Sequence, residues 1–208
     1  MPKAKNLKQI LNFLHQAGEL KKAYRFSENL CKEKFGDSSA DHSWRLALMA
    51  IVVADELKLG LDMERALKIA LIHDLPEAIT GDIDFRLIAA GKITKEEKNK
   101  LEAKAMKKFK KLLPPEIGQE IYNLWIEYET GESKEAKFVK TLDKMESILF
   151  FNEVKNKNKI DAPDLIGAYG NKQADQFPEL KNIFKLIKKE LKNEFKESRF
   201  PWKKEYDI

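Results

Sequence analysis

The sequence predicts an all-α protein that folds as a single domain. Hydrophobic residues recur at spacings of three and four along most of the chain, which is the pattern of amphipathic helices. No segment alternates apolar and polar residues convincingly, as a half-buried strand would. With 208 residues, 43% of them hydrophobic, the chain is long enough to bury a substantial core in one domain, residues 1–208. A helical bundle is therefore expected.

Three helices are predicted in the N-terminal third of the chain. The first ends at Gly18, and the third is capped by Asp62 and ends at His73. The second begins at the capping residues 37–41 and runs to about Leu59. Because this second helix is apolar nearly all round, we expect it to be buried in the middle of the fold. The apolar face of the first helix consists of Leu7, Ile10, Leu11 and Leu14.

Proline, glycine and capping residues separate the helices predicted further along the chain. Pro76 interrupts the helical pattern, and Thr94 with Glu97 forms a capping-box signature for the next helix. Pro114–Pro115 ends that helix and begins another. Three large aromatic residues fit helix faces and are expected in the core: Trp44, Trp125 and Tyr128. A long helix that carries Asp143 follows.

The C-terminal part, residues 156–208, is predicted to combine a loop with an amphipathic helix. Residues 156–177 form the loosest stretch, because glycine and proline interrupt it. The helix after it has an apolar stripe that needs burial, so we expect it to pack on the core or on a second subunit. The stripe consists of Leu180, Ile183, Phe184, Ile187 and Leu191.

Composition excludes some classes of protein. No apolar run reaches the roughly 18 residues that a membrane-spanning helix needs, and we expect no secretory signal at the N-terminus. One cysteine, Cys31, cannot form an internal disulfide, which fits a cytoplasmic location. The net charge of +5 comes from scattered lysines, which favour solvated helix faces, with a mild attraction for anions as the alternative. Lys140 and Lys144 flank Asp143 and could help to hold phosphate, but surface positions are favoured because the two side chains cannot both face the same way as Asp143.

The three histidines are the first candidates for chemistry. His15 lies in a short helix and is expected to be an ordinary surface or packing residue. His42 lies in the first turn of the second helix, and His73 is followed at once by Asp74 after an apolar stretch. Burying an unpartnered polar group costs about 2–7 kcal/mol, so such a pair needs partners. Alone, Asp74 could simply cap the next helix, with His73 bonded to the backbone.

Three further carboxylates strengthen the case for a metal site. Asp143 lies inside an apolar helical pattern, where an inward-facing charge needs compensation. Glu77 and Asp82 follow His73–Asp74 closely enough to share a site. Two imidazole nitrogens and two carboxylates suit one borderline or hard divalent ion, and the residues do not distinguish Mn, Co, Fe, Mg and Zn.

The order of His42, His73–Asp74 and Asp143 is an H…HD…D pattern, and on it the chain resembles the HD-domain phosphohydrolase superfamily. Neighbouring segments resemble its 5′-deoxynucleotidase branch, which removes phosphate from deoxyribonucleoside 5′-monophosphates. The matching segments are Ser39–Arg45, His73–Ala78, Thr80–Ile83, Glu135–Val139 and Leu142–Lys144. The resemblance covers Leu20 to Phe151 and implies an HD-domain helical bundle.

The resemblance also implies a role for each matching residue. Glu77 matches an acid required for turnover, and Asp82 matches a residue of the loop that meets the sugar and helps catalysis. Arg25 matches the residue that orients the phosphate, and Phe26, where the branch has Trp, matches the aromatic residue that packs on the nucleoside. The implied metal ligands are His42, His73, Asp74 and Asp143, of which His42, Asp74 and Asp143 also bind substrate. A small nucleotide substrate and a homodimer are implied as well.

Two other classes of function remain open at this point. A nucleotide pyrophosphohydrolase, or a hydrolase of alarmones or cyclic dinucleotides, would need more basic contacts than Arg25, Arg45 and Arg86 provide. A non-enzymatic binder of nucleic acid or of a membrane surface could use the lysine-rich segment Lys181–Lys204. We expect neither nucleic acid nor a membrane to be the main partner.

Overall fold

A computed structural model describes residues 4–25, 36–154 and 162–208, and within these ranges the chain forms helices and no strand. The all-α prediction is confirmed. The N-terminal helices are α1 (Ala4–Ala17), α2 (Ser39–Leu57), α3 (Met63–Ile72), α4 (Glu77–Thr80) and α5 (Phe85–Ala89). They are followed by α6 (Lys95–Leu112), α7 (Pro115–Thr130), α8 (Lys134–Val154), α9 (Pro163–Gly167), α10 (Asn171–Gln176) and α11 (Lys181–Glu197). Short 3-10 turns occupy Gly18–Lys22, Pro178–Leu180 and Lys204–Tyr206.

Local sequence signals fix several helix ends. The side chain of Ser38 accepts a hydrogen bond from the backbone N–H of Asp41, and the Asp41 carboxylate accepts one from Ser38, so a capping box begins α2. The predicted capping box of Thr94 and Glu97 begins α6 in the same way. Gly131 ends α7 in the left-handed conformation that glycine adopts readily.

The main core lies where α2, α3 and α8 pack against one another, and α11 packs against α8. Fully buried side chains of this core include Leu46, Ile69, Phe138, Leu142 and Phe184. Burial of each such side chain contributes about 1.5–3 kcal/mol, so these helices are held firmly in relation to one another. Since α2, α3 and α8 also carry or flank the candidate site residues, the core fixes the backbone around that site.

The C-terminal part packs on this chain's own core. Within the predicted loose stretch, α9 and α10 form, and Ile166, Ala174 and Phe177 are buried in the main core. The apolar stripe of α11 is buried, with Phe195 against Trp202 and Tyr206. The lysine-rich segment therefore presents its charged face outward and does not expose its apolar stripe. In the described part of the chain, every helix is too short or too polar to cross a bilayer.

The prediction that α2 is buried all round is wrong. Its inner face contributes Leu46 and Ala50 to the core, whereas Trp44 is 66% exposed. Periodicity identifies apolar residues, but a helix that packs on α3 and α8 from one side leaves its other face uncovered. Trp125 and Tyr128 are buried as expected. The outer face of α2 exposes Trp44, Leu48, Ile51 and Val52, and α1 likewise exposes Leu7, Leu11 and Leu14.

Candidate metal centre

Four side chains from three separate segments meet at one point. His42 Nε2 lies 3.3 Å from His73 Nε2, 3.3 Å from Asp143 Oδ1 and 3.8 Å from Asp74 Oδ2. His73 Nε2 lies 3.1 Å from Asp74 Oδ2. His42, His73 and Asp143 are buried, and Asp74 is partly exposed to a cavity. The structure thus brings together the four residues predicted to hold the ion.

The helix ends and helix packing place these groups. His42 lies one turn into α2, where its backbone N–H donates to the Ser38 carbonyl. His73 is the C-cap residue of α3, and Asp74 lies in the turn that follows. Asp143 lies in the middle of α8, on the side that faces α2 and α7. The alternative role of Asp74 as a helix cap is not observed, because the N-cap residue of α4 is Pro76 and no side chain caps this helix.

Hydrogen bonds at the outer nitrogens orient both imidazoles. His73 Nδ1 lies 2.9 Å from the carbonyl of Ala70, so Nδ1 carries the proton that this contact needs. His42 Nδ1 contacts the carboxylate of Glu146. Both Nε2 atoms are therefore directed at the common point. Burial and Arg25 oppose the protonation of His42, yet Glu146 and Asp143 raise the pKa of its imidazole to about 9, so an ion at this point would replace a proton on Nε2. This is the arrangement in which histidine ligands are usually held.

The four inward atoms fit a divalent ion. Bond lengths of about 2.0–2.2 Å to imidazole nitrogens and carboxylate oxygens put neighbouring ligand atoms roughly 3 Å apart. The observed separations of 3.1–3.8 Å are close to that value. Two imidazole lone pairs that face each other at 3.3 Å repel unless a cation or proton lies between them. Mixed nitrogen and oxygen donors suit Zn, Mn, Fe or Co, and carboxylates also suit Mg.

The carboxylates of the site divide into two electrostatic groups. Burial opposes the ionisation of Asp74 and Asp143. His73 nevertheless lowers the pKa of Asp74 below its usual range, and Lys144 and His42 lower the pKa of Asp143 in the same way. Burial raises the pKa of Glu77 well above its ordinary value, and the charges of Asp74 and Asp82 raise it further. Ionised ligands thus lie beside a carboxyl group that holds a proton readily.

Glu77 and Asp82 face the same cavity as the metal centre. Glu77 is the first residue of α4, is buried, and accepts a 2.5 Å hydrogen bond from Ser39 Oγ. Asp82 follows α4, and burial raises its pKa, with Arg25 opposing that rise and Asp74 adding to it. Both residues therefore lie where the sequence predicts, at the edge of the His73–Asp74 turn.

Arg25 reaches the cavity from the segment before α2. Its Nη1 lies 3.0 Å from Glu146 Oε2 and 3.5 Å from Asp37 Oδ2, and its Nη2 donates to Ser147 Oγ at 2.9 Å. The guanidinium is thus fixed beside the metal centre while still lining the cavity. Phe26, the predicted partner of the nucleoside, lies outside the described residues.

The prediction that Lys140 and Lys144 are surface residues is wrong. Both line the cavity, and Lys144 Nζ lies 2.6 Å from Asp143 Oδ2. Lys140 Nζ lies 4.7 Å above the ring of Tyr128 and donates to the Glu129 carbonyl at 3.2 Å. The positions of Lys140 and Lys144 in the sequence indicate only where the two side chains leave the helix. A four-carbon stem can turn back toward a negative site.

Two site residues were missed by sequence reasoning. Tyr128 was expected only as a core residue, but its hydroxyl donates to Asp143 Oδ2 at 2.7 Å. Glu146 is fully buried and contacts His42, Arg25 and Arg45. Its position three residues after Asp143 was the available signal, since residues three apart share a helix face.

The cavity above the metal centre has a volume of about 300 Å³. Its wall combines the carboxylates already described with basic and aromatic side chains. The basic and aromatic lining residues are Arg25, Lys95, Lys98, Lys140, Lys144, Phe85, Tyr128 and Tyr169. A larger and more open groove, about 740 Å³, lies between α3 and α7, but none of the predicted site residues line it. The candidate metal ligands and a space for substrate therefore coincide at the smaller cavity.

A family model for the HD domain matches residues 17–184, a span that contains all four candidate ligands. The chain belongs to the HD domain family. This HD domain protein is 42% identical over 146 residues to human 5′-deoxynucleotidase HDDC2, covering 70% of this chain and 68% of that protein. It is 36% identical over 185 residues to 5′-deoxynucleotidase HDDC2 of Xenopus laevis, covering 88% of each chain.

Solved structures share the fold of this HD domain protein. A predicted metal-dependent phosphohydrolase from Magnetospirillum magnetotacticum superposes with a TM-score of 0.72 at 23% identity, covering 94% of this chain and 98% of that one. A conserved hypothetical protein from Pyrococcus furiosus superposes with a TM-score of 0.66 at 28% identity, covering 86% and 99%. The helical arrangement is thus shared with these two solved structures.

Proposed function

We propose that this protein is a metal-dependent phosphomonoesterase that hydrolyses deoxyribonucleoside 5′-monophosphates to a deoxynucleoside and phosphate. The observation that carries the proposal is the convergence of two imidazoles and two aspartates beneath a cavity that also holds Glu77 and several cations. The names of the human and Xenopus relatives support the substrate class.

One divalent ion, held by His42, His73, Asp74 and Asp143, would polarise a phosphoryl oxygen and lower the pKa of a bound water. The protein supplies the remaining parts. Burial excludes bulk water from the ligand atoms, and the core helices keep those atoms in place before substrate arrives. A water molecule, once oriented, would attack phosphorus in line with the 5′ oxygen; the bond from phosphorus to that oxygen would break, and the oxygen would take up a proton to give the deoxynucleoside.

Glu77 is proposed to orient the attacking water and to accept or relay its proton. Its carboxyl group faces the cavity, is positioned by Ser39, and has a raised pKa because of burial and the neighbouring aspartates. Asp82 is proposed to contact the deoxyribose, and a crowded wall at Asp82 and Ile83 would disfavour a 2′-hydroxyl. Both residues line the cavity within the same short stretch of chain.

Arg25 and Lys144 are proposed to hold the phosphate. Arg25 is fixed by Glu146 and Ser147, and Lys144 is fixed by Asp143, so both cations lie beside the metal centre before substrate binds. Developing negative charge on the phosphoryl oxygens is stabilised by such preorganised cations. His42, Asp74 and Asp143 are proposed to contact the substrate through the phosphate end.

A phosphate-release assay tests the reaction. The protein is loaded with Mn²⁺, Co²⁺, Mg²⁺ or Zn²⁺ and given deoxynucleoside monophosphates, ribonucleoside monophosphates, deoxynucleoside triphosphates, a guanosine alarmone and a cyclic dinucleotide. We expect turnover of the deoxynucleoside monophosphates, lost on chelation and restored by metal. Faster turnover of triphosphates, alarmones or cyclic dinucleotides would contradict the proposal and favour the other hydrolase classes.

A variant at Glu77 tests the assignment of roles. Glu77→Gln keeps the shape of the side chain and its contact with Ser39, so metal content is expected to stay unchanged while kcat falls about 10²- to 10⁴-fold. The exposed Glu56→Gln serves as a control and is expected to leave both quantities unchanged. Equal loss of metal and activity in Glu77→Gln would instead place Glu77 among the ligands.

We further propose that the protein is a homodimer located in the cytoplasm. The support for a dimer is the exposed apolar stripe on α2, where Trp44 and Val52 are 66% and 58% exposed. Light scattering is expected to give twice the chain mass of 24.1 kDa, and Trp44→Ser is expected to lower it. A monomer at micromolar concentration would contradict the dimer. The single cysteine supports the location, which cell fractionation tests.

A further inference from the structure

Glu146 is a fully buried carboxylate that touches the metal centre from behind. Its Oε2 contacts His42 Nδ1 and lies 3.0 Å from Arg25 Nη1. Its Oε1 accepts a 2.7 Å hydrogen bond from Arg45 Nε. One carboxylate therefore joins a candidate metal ligand, a candidate phosphate-binding arginine and a third cation.

We propose that Glu146 is a positioning residue that holds the proton of His42 on Nδ1, keeps Nε2 available to the ion, and fixes Arg25 at the edge of the cavity. The inference rests on the ligand set of the proposed function. It adds a residue that touches neither ion nor substrate.

Competition between two carboxylates makes this positioning necessary. A neutral imidazole has one N–H, and the hydrogen bond made by one nitrogen decides which nitrogen remains free. On the inner side, Asp143 Oδ1 lies 3.3 Å from His42 Nε2 and could accept that proton. Glu146 contacts the opposite nitrogen, Nδ1, and accepts the proton there. Without Glu146, the proton of His42 would move to Nε2, where Asp143 can accept it. Nε2 would then be unable to bind the ion.

The same carboxylate also fixes Arg25. The Oε2 atom that contacts His42 is the atom that accepts from Arg25 Nη1, while Ser147 Oγ holds Nη2. The orientation of the metal ligand and the orientation of the guanidinium therefore share one atom. Removal of Glu146 should weaken metal binding and substrate binding together.

A second ion beside Glu146 is a competing interpretation. Asp37, His42 and Glu146 offer potential ligand atoms within 4.8 Å of one another. However, Arg25 and Arg45 already place their guanidinium groups against the Glu146 carboxylate. A divalent cation at that point would meet two positive charges at close range, which Coulomb repulsion disfavours. The geometry favours a hydrogen-bonded support for His42.

Metal affinity measured by calorimetry with Zn²⁺ tests the proposal without any substrate. Glu146→Ala is expected to weaken binding about 10- to 100-fold, as loss of the group that supports a histidine ligand does. Glu146→Gln retains an oxygen that can accept from His42 Nδ1, so most of the affinity should return. The matched control is Glu153→Gln, which removes an exposed carboxylate from the other side of Arg45 and should leave affinity unchanged.

Nitrogen NMR of histidine-labelled protein gives a direct second readout. The chain has only three histidines, so their ring signals can be assigned by substitution. In the metal-free protein and in metal-free Glu146→Gln, neutral His42 is expected to carry its proton on Nδ1, whereas metal-free Glu146→Ala should show a mixture of tautomers. If Glu146→Ala lowers the stability of the fold, the Gln variant and the control still decide the matter.

Two results would overturn the proposal. One is a folded Glu146→Ala protein with unchanged zinc affinity and an unchanged His42 tautomer. The other is an equal loss of affinity in the Ala and Gln variants, which would mean that the negative charge matters and the hydrogen bond does not. Failure of the nucleotidase assay alone would refute the proposed substrate, while the zinc measurements would still test Glu146.

Discussion

Lys188 carries a charge inside the C-terminal part of the fold, and its removal should stabilise the protein. The residue is 4% exposed and donates a 2.5 Å hydrogen bond to the Gly167 carbonyl. Burial lowers its pKa from 10.5 to about 8, and the negative charge of Asp207 opposes this effect. Lys188→Met keeps the length of the side chain and removes the charge.

The expected magnitude follows from the pKa difference. Since one pKa unit corresponds to about 1.4 kcal/mol, a charged Lys188 at pH 7 costs about 3 kcal/mol relative to the neutral form. Methionine leaves the Gly167 carbonyl without its donor, which costs about 1–2 kcal/mol. The net gain for Lys188→Met at pH 7 is therefore about 1–2 kcal/mol, or a rise of a few degrees in Tm.

The pH dependence identifies the cause. Below pH 8 the lysine is protonated in both the folded and the unfolded states, so the full cost of the buried charge is present. Between about pH 8 and 10.5 the unfolded state binds more protons, and the stability of the wild-type protein therefore rises relative to the variant. At pH 10 the remaining cost is below about 1 kcal/mol, and the advantage of methionine should disappear.

Urea denaturation at pH 7 and pH 10, followed by circular dichroism, measures these differences. Lys189→Met is the matched control, because Lys189 is exposed on the same helix and should change stability by less than about 0.5 kcal/mol. A destabilised Lys188→Met protein, or a difference that does not depend on pH, would refute the reasoning.

Two further substitutions test the close helix contacts and the support of the metal centre. Gly118→Ala is expected to destabilise the protein by about 1–3 kcal/mol, because the added Cβ would lie 2.3 Å from the Lys110 carbonyl oxygen. Gly18→Ala is the control: its Cβ would meet no atom within 4 Å, so it should hardly change stability in the same urea assay. Tyr128→Phe removes the hydrogen bond to Asp143 and should weaken zinc binding about 10-fold or more, measured by calorimetry, whereas Tyr122→Phe on the same helix should not. Undiminished zinc affinity in Tyr128→Phe would remove that hydroxyl from the site.

Features set by neighbouring residues were predictable from the sequence. The capping box at Thr94 and Glu97 and the end of α3 at His73 follow from local hydrogen bonding and helical period, and the structure has both. The convergence of His42 and Asp143 was also anticipated, because a buried charge needs a partner. The family resemblance supplied the pairing of these particular residues.

Features set by distant residues were not predictable in this way. Glu146 contacts Arg45 and Arg25, which lie 101 and 121 residues away in sequence, and no local pattern indicates those contacts. The exposure of Trp44 depends on which face of α2 the other helices cover. The position of Lys144 was predicted wrongly because its long side chain bends toward the negative charge of Asp143, and the helical pattern alone does not indicate this contact.

A crystal structure of the protein grown with Mn²⁺, with anomalous diffraction used to locate the ion, tests the central claim most directly. We expect one ion bonded to His42 Nε2, His73 Nε2 and carboxylate oxygens of Asp74 and Asp143, at about 2.0–2.3 Å. An ion bound instead between Asp37 and Glu146, or none at the four predicted ligands, would contradict it.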